Sequence, residues 1–330
     1  SYNIAVQSVD RSGRVSSTVT RSIETESNAA DVILAGKNLS TRTDFSTTVT
    51  EDTTGTIYYA DTSNGRTYYF AGAVDNNWVY FAGYYWRIIR INEDGTIRMI
   101  YNGSSAVQTG STTLAQFSVF NGGGRSNEDV QYMYTYNQLY GLENNSSIKT
   151  NIEQWYEDYI LGTDYEQYIS REAGFCGDRT PSTSSLTSNG LGGIGGAQTY
   201  YGAYIRLISN KTPTFECAND SDLYTVDVSS KGNHALDYPI GLITADEVVY
   251  AGGVWAVANQ NFYLYTSQSY WTISPSTFSS DGYAQVFMLA NGIFTSPDAN
   301  NRDGVRPVIN LRSDVTLTGS GTTSDPYRVS

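Results

Sequence analysis

The chain has 330 residues and a net charge of −13, with 33 Asp and Glu against 20 Lys and Arg. That balance offers no basic footprint to displace phosphate counterions, so it argues against nucleic acid as a partner, and it disfavours anionic membranes for the same reason. No apolar run reaches the roughly 20 residues of a transmembrane helix, so no membrane insertion is expected. Aromatics make up 13%, with 28 Tyr, and Gly is frequent (31) while Pro is scarce (7). Ring-bearing, strand-forming side chains broken by many turns imply short strands, not a helical bundle.

In chain order, Tyr2, Ile4 and Val6 alternate with polar residues, Asp10-Arg11-Ser12-Gly13 makes a turn, and residues 15–23 form a second strand. Two strands alone cannot bury a core, so residues 1–23 read as the last hairpin of a larger unit and the chain as a piece of a modular protein. Residues 24–50 are Thr- and Ser-rich and are expected to be a linker. Strand signals then recur at 57–59, 67–70, 78–81, 84–91 and 96–101, separated by turn residues such as Asn64-Gly65 and Glu93-Asp94-Gly95.

Helix evidence is limited to three places. Ile148, Ile152, Trp155, Tyr156, Tyr159 and Ile160 fall at spacings of three and four, with Lys149 and Glu153 as an i,i+4 pair. Asp164 is expected to cap a second short helix running through Arg171. Thr244-Ala245-Asp246-Glu247 is a capping box, and Gly252-Gly253 ends the helix that it starts. Between these, residues 177–199 are Gly-, Ser- and Thr-rich and read as a long surface loop. Strands return at 262–266, 270–273, 283–289, 305–311, 315–317 and 327–329. Strands, then a few helices, then strands is an α+β order.

The two cysteines, Cys176 and Cys217, belong to no Cys-x-x-Cys pair, and His234 is the sole histidine, so a zinc site is not expected. A disulfide between them is expected, against the alternative of two reduced core thiols. Such a bond implies an oxidising, extracellular location.

Three segments carry a resemblance: Trp86 to Gly95 (Trp-Arg-Ile-Ile-Arg-Ile-Asn-Glu-Asp-Gly), Gly241 to Glu247 (Gly-Leu-Ile-Thr-Ala-Asp-Glu) and Gly304 to Leu311 (Gly-Val-Arg-Pro-Val-Ile-Asn-Leu). Over residues 51–330 the chain resembles domains of large modular surface proteins of Gram-positive bacteria. More widely it is similar to the C-type-lectin-like fold of formylglycine-generating enzymes and of the variable proteins of diversity-generating retroelements, the latter through Tyr270-Trp271-Thr272 and Gly304 to Val308. Residues 1–23 resemble the final hairpin of a fibronectin type III domain. Formylglycine-generating enzymes use a close pair of cysteines near the C-terminus, and this chain has no cysteine after Cys217, so that activity is not expected. The tripeptides by which calcium-dependent lectins hold sugar do not occur either.

Between residues 259 and 302 aromatic rings alternate with small polar residues, the combination that binding surfaces use to bring contact area at small entropic cost. The equivalent stretch of retroelement variable proteins displays their ligand-binding residues. By that resemblance Phe278, Asp281, Tyr283, Gln285, Phe287, Asn291, Phe294, Asn300, Asn301 and Arg302 are expected to meet a ligand, although strand alternation alone must bury some of these rings. Trp86 and Trp271 read as core. Arg306, inside an apolar strand, reads as a structural anchor in need of a partner, and His234 as an exposed loop residue. The stretch from Asp298 to Gly304 fails the calcium-loop spacing, with Arg302 where a ligand would stand. The expectation is a non-enzymatic adhesion module, without cofactor, that recognises a protein or glycan on another cell or host surface and is flanked by fibronectin-type modules. The alternative is a structural subunit or tip of a surface filament or phage tail fibre.

Overall fold

The computed structural model describes residues 2–23, 28–115, 117–121, 145–182, 198–228, 230–278 and 283–330. At the N-terminus, Tyr2–Val6 pairs antiparallel with Val19–Ile23. The turn between them is held by the Asp10 carboxylate, whose Oδ1 accepts from the backbone N–H of Ser12 (2.8 Å) and Arg14 (3.0 Å). Val6, Val9, Val15 and Val19 are 57–64% exposed.

The expected linker is part of the main fold. Asn28 caps the helix Ala29–Leu34 by accepting from the Asp31 N–H, and Ala29 and Ile33 are fully buried. The strand Asn38–Ser40 then pairs in parallel with Thr56–Thr62. A six-residue helix and a three-residue strand are too short for either periodicity to stand out in a polar sequence.

Among the described residues, the larger of the two main sheets has nine strands. Its path runs Leu317–Thr318, Tyr327–Val329, Trp78–Phe81, Tyr84–Ile91, Gly65–Tyr69, Thr56–Thr62 and Asn38–Ser40; Ile97–Tyr101 also pairs with Tyr84–Ile91 and carries Val308–Leu311 on its other edge. Most neighbours are antiparallel, but Tyr327–Val329 lies parallel to Trp78–Phe81. The C-terminal strand therefore enters the sheet beside an early strand, and the Ala29 N–H donates to the Val315 carbonyl at 3.0 Å. Both ends of the region 28–330 are thereby tied to the same sheet. Trp86, at the centre of this sheet, is fully buried and donates its indole N–H to the Phe81 carbonyl.

A second sheet joins Thr199–Tyr200, Tyr270–Phe278, Ala284–Ala290 and Ile293–Thr295. Every residue of Tyr270–Phe278 is buried, with the register shifting on either side of Pro275. Proline has no N–H to give a ladder, and a bulge is where a central strand tolerates it. Residues 262–266 are not a strand, because the Tyr265 N–H closes a turn on the Phe262 carbonyl. Their side chains at 262–264 still fill the core.

The helix Ser147–Tyr159 forms as its spacing predicts, capped by Ser146, with Ile148, Ile152, Trp155 and Tyr156 buried. Its Lys149 and Glu153 are buried too, with Nζ and Oε2 2.5 Å apart. No helix spans 164–171. Thr163, not Asp164, offers its side-chain oxygen to the chain ahead, and only a single 3₁₀ turn, Glu166–Tyr168, follows. The capping-box helix is Ala245–Tyr250. The architecture is mixed α+β, dominated by sheet.

Phe287 and Phe294 lie stacked at 4.9 Å on neighbouring strands, and Trp255 meets both edge-on at 5.7 and 6.0 Å. Both phenylalanines are fully buried. Replacing Phe287 by Ala is expected to cost about 3–5 kcal/mol through lost transfer energy and the cavity left behind, read as a lowered midpoint in chemical denaturation. A change below about 1 kcal/mol would mean that the ring does not sit in this cluster.

Candidate functional site

The rings expected to face a ligand are mostly internal. Phe278 is 1% exposed and Phe287 and Phe294 are 0%, which corrects their assignment as contact residues. Alternation puts every second side chain outward only where one sheet face meets water; here both faces of Tyr270–Phe278 and most of Ala284–Ala290 are covered. Tyr283 and Gln285 are half-buried. The Gln285 amide is tied down, accepting from Thr277 Oγ1 at 2.5 Å and donating to Asp298 Oδ1 at 3.1 Å. Asn291 sits exposed in a left-handed turn, and Asn300, Asn301 and Arg302 are exposed. Arg302 donates to the Phe117 carbonyl and borders a shallow groove of about 480 Å³ with Phe117, Leu114 and Gln268. Asp281 lies outside the described residues.

The more developed cavity is elsewhere, a cleft of about 570 Å³. Its lining draws on the strand Tyr84–Ile91 and the turn after it (Arg90, Asn92, Glu93, Asp94), on Arg98 of the neighbouring strand, and on the first turn of the capping-box helix (Thr244, Asp246, Glu247). The remainder comes from segments around the two cysteines, including Glu172, Ala173, Asp178, Arg206, Phe215, Glu216 and Asp220. Two of the three segments singled out in the sequence, Trp86 to Gly95 and Gly241 to Glu247, thus meet at its floor. The third touches that floor from behind, where Asn92 donates to Asn310 Oδ1 at 3.0 Å.

The floor is a network of buried ions. Glu247 is 1% exposed, and its Oε1 lies 3.0 Å from Arg90 Nε and 2.6 Å from Arg98 Nε. Its Oε2 accepts from the Thr244 N–H at 2.9 Å, completing the capping box. Burial alone would raise the pKa of this carboxyl, but Arg98 and Arg90 outweigh it and hold the group below the ordinary carboxylate value. Beside it, Arg206 reaches Asp246 Oδ2 at 2.6 Å and Asp178 Oδ2 at 2.7 Å. Arg206 belongs to a turn of π-helix, Ile205–Asn210, a form often found where a helix has been adjusted for function. Although burial acts to lower its pKa, the two carboxylates raise the guanidinium's affinity for its proton above the ordinary value.

Asp178 differs from its neighbours. Its backbone is left-handed (φ 45°), a costly state for an L-residue that recurs at binding and catalytic sites. Desolvation, only partly offset by Arg206 and reinforced by Asp246, pushes its pKa up to about 6. Cys176 and Cys217 both line the cleft and are joined by the expected disulfide across 41 residues. Closing a loop of that length contributes about 4 kcal/mol in the chain-entropy model and fixes the segments that hold Asp178 and Phe215. The Phe215 ring is stacked on Tyr250 at 3.8 Å and covered by the Arg90 guanidinium at 4.8 Å.

Two other buried arginines have no carboxylate against them among the described residues. Arg306 is 0% exposed and donates to the Tyr101 carbonyl (2.8 Å) and Asn102 Oδ1 (2.7 Å) over the Tyr270 ring, as a structural anchor would. Arg87 likewise donates to Asn77 Oδ1 and the Val74 carbonyl, and burial brings its pKa down to about 9. Trp86 and Trp271 are core, and His234 is exposed in a loop, with Nδ1 3.1 Å from the Val226 carbonyl. Asp298 accepts from Gln285 as described above, and the described residues hold no group of three or more side chains able to bind a metal ion.

Of the cleft residues, the sequence pointed to Cys176 and Cys217 as a disulfide and to Thr244 and Glu247 as a capping box, but not to the buried charges as a site. Their signal was the kind used for Arg306: charges set inside apolar strands (Trp86-Arg87-Ile88-Ile89-Arg90-Ile91 and Ile97-Arg98-Met99), which must find buried partners. Comparison with family models, with curated proteins and with solved structures gives no match to this chain.

Because the Asp178 pKa is raised in the folded chain above its ordinary 3.8, the unfolded chain holds fewer protons at this position between pH 4 and 6. Its contribution to stability therefore grows as pH falls through about 6 and fades as pH rises. Thermal unfolding of wild type and Asp178→Asn is expected to show the wild type gaining on the variant from pH 7 to pH 4. A constant difference across that range would contradict the assignment.

Proposed function

We propose that this chain is an extracellular binding module that recognises a protein or glycan ligand through the charged cleft, on a C-type-lectin-like scaffold of a modular bacterial surface protein. The observation that carries this reading is the cleft itself: about 570 Å³ of space whose floor charges are fixed by ion pairs and whose wall is fastened by the Cys176–Cys217 bond. Rigid walls bind well because little side-chain entropy remains to be lost. The disulfide supports an oxidising compartment, and no helix among the described residues is long and apolar enough to cross a membrane. The ligand surface differs from the one the sequence suggested. It is ionic and concave where an aromatic face was expected. The partner would be carried by another cell or a host surface, with fibronectin-type modules as neighbours in the longer chain.

The two candidate faces can be separated by measuring ligand capture from arrays of matrix proteins and glycans. Ala173→Trp fills the cleft without changing its charge and is expected to weaken capture at least about tenfold, since it takes the place of buried contacts. The triple change Asn300→Ala, Asn301→Ala, Arg302→Ala is expected to leave capture intact. The reverse pattern, in variants of unchanged melting temperature, would move the site to the 283–302 surface.

A second reading, a subunit or tip of a filament, is favoured by the four exposed valines of the Tyr2–Val6/Val19–Ile23 hairpin, an apolar strip of the kind that a neighbour covers. On that reading the purified chain forms polymers in electron micrographs, and these vanish when residues 1–23 are deleted. Monodisperse particles with the hairpin present would dismiss it.

A further inference from the structure

Eight acidic and four basic side chains line the cleft: Glu93, Asp94, Glu172, Asp178, Glu216, Asp220, Asp246 and Glu247 against Arg90, Arg98, Arg206 and Lys231. The two kinds are not mixed at random. The three arginines are matched at the floor by Glu247, Glu93, Asp178 and Asp246, at 2.6–3.5 Å. Subtracting those pairs leaves the acids Asp94, Glu172, Glu216 and Asp220, all four exposed and none in a salt bridge among the described residues. The floor is close to neutral and the rim is negative.

Two further features bear on what enters. Part of the wall is apolar, formed by Ala173, Phe215, Leu223 and the disulfide. In addition, Asn92 lines the cleft at 8% exposure, and among the described residues its Oδ1 has no hydrogen-bond partner. Its amide nitrogen is already committed to Thr96 and Asn310, so what this side chain can still take is a donor. An isolated buried acceptor costs roughly 1–3 kcal/mol, and this one lies just beneath the surface of the cleft.

We infer that the cleft receives a lysine or arginine side chain from an extended, basic segment of a partner protein, its aliphatic stem lying along Leu223 and Ala173 and its cationic head among the rim carboxylates. Long cationic side chains bury their methylenes on apolar surface while the head keeps to polar company. An acidic rim also speeds the approach of a basic partner and turns away acidic ones. A neutral glycan would use the hydroxyl-bonding capacity of the floor but gain nothing from the excess of acid at the rim. This inference rests on the cleft being the binding site, and its failure can be told apart from failure of that reading. If Ala173→Trp abolishes capture of a neutral ligand, the site stands and the basic-peptide specificity falls.

The whole chain carries −13 and will attract any polycation weakly, so the test needs a matched control. A fluorescent hexalysine peptide, a hexaglutamate peptide and a chitosan oligomer are titrated into the full chain at 0.05 and about 0.15 M salt, spanning Debye lengths of roughly 14 to 8 Å. The inference expects hexalysine to bind, hexaglutamate not to bind, and Glu172→Lys/Asp220→Lys to weaken hexalysine about tenfold or more. The same reversal of charge outside the cleft, Glu157→Lys/Asp158→Lys on the helix Ser147–Tyr159, is expected to change it less than about twofold. Equal weakening by both double variants would reduce the effect to whole-molecule attraction and overturn the inference. Chitosan binding tighter than hexalysine, with the same sensitivity to Glu172→Lys/Asp220→Lys, would also overturn it, in favour of an amino-sugar polymer. Circular dichroism and melting temperature establish that each variant is folded.

Discussion

One carboxylate organises the centre of this molecule. Glu247 caps its own helix through Oε2 and grips two adjacent sheet strands through Oε1, by way of Arg90 and Arg98. The capping-box helix, the strand Tyr84–Ile91 and the strand Ile97–Tyr101 are thereby fixed to one another at a single buried point. Pairing a buried ion with a hydrogen-bonded partner offsets its desolvation, whereas removing one member strands the rest; breaking such a pair typically costs about 3–5 kcal/mol. Loss of Glu247 would strand the buried Arg98 guanidinium and leave Arg90 with Glu93 at 3.5 Å as its carboxylate partner among the described residues. The geometry of the cleft depends on that not happening, because Asp246 and Thr244 line it from the same helical turn.

The second constraint is covalent. The Cys176–Cys217 bond closes the segment that contributes Asp178, Arg206 and Phe215 to the cleft, so the wall opposite Glu247 cannot swing away. Arg206 then ties this wall to the helix through Asp246, and Phe215 is clamped between Tyr250 and Arg90. Ionic floor, disulfide wall and aromatic clamp converge on one cavity. Asp178, in a left-handed backbone and with a raised pKa, is held there against its own preference, which a merely structural surface would not require.

Much of this was legible in the sequence, and each failure has its own physical cause. The helix Ser147–Tyr159, the capping box at Thr244, the individual strands between Thr56 and Tyr101 and the disulfide follow from periodicity, cap chemistry and cysteine arithmetic. Residues 28–50 were not legible as part of the fold, because Ala29 and Ile33 anchor it through a helix of under two turns. Phe287 and Phe294 were misplaced for a different reason. Their alternation with polar residues looks like a half-exposed strand, yet Thr272, Ser274 and Thr277 on the neighbouring strand are themselves buried, with their hydroxyls spent inside the protein on partners such as the Phe287 carbonyl, the Ala245 N–H and Gln285. A polar residue that satisfies itself internally defeats a rule that equates polarity with solvent. The cleft was missed because it is assembled from charges far apart in the chain, and only their occurrence within apolar strands hinted that each had a buried partner.

The cleft must be where a ligand touches the chain. Amide hydrogen exchange on the intact protein, with and without saturating hexalysine, reads this directly. Protection is expected at 172–178, 214–220 and 244–247, the segments around the cleft, with 283–302 unchanged. Protection confined to 283–302, with the cleft segments exchanging as in the free protein, would contradict it.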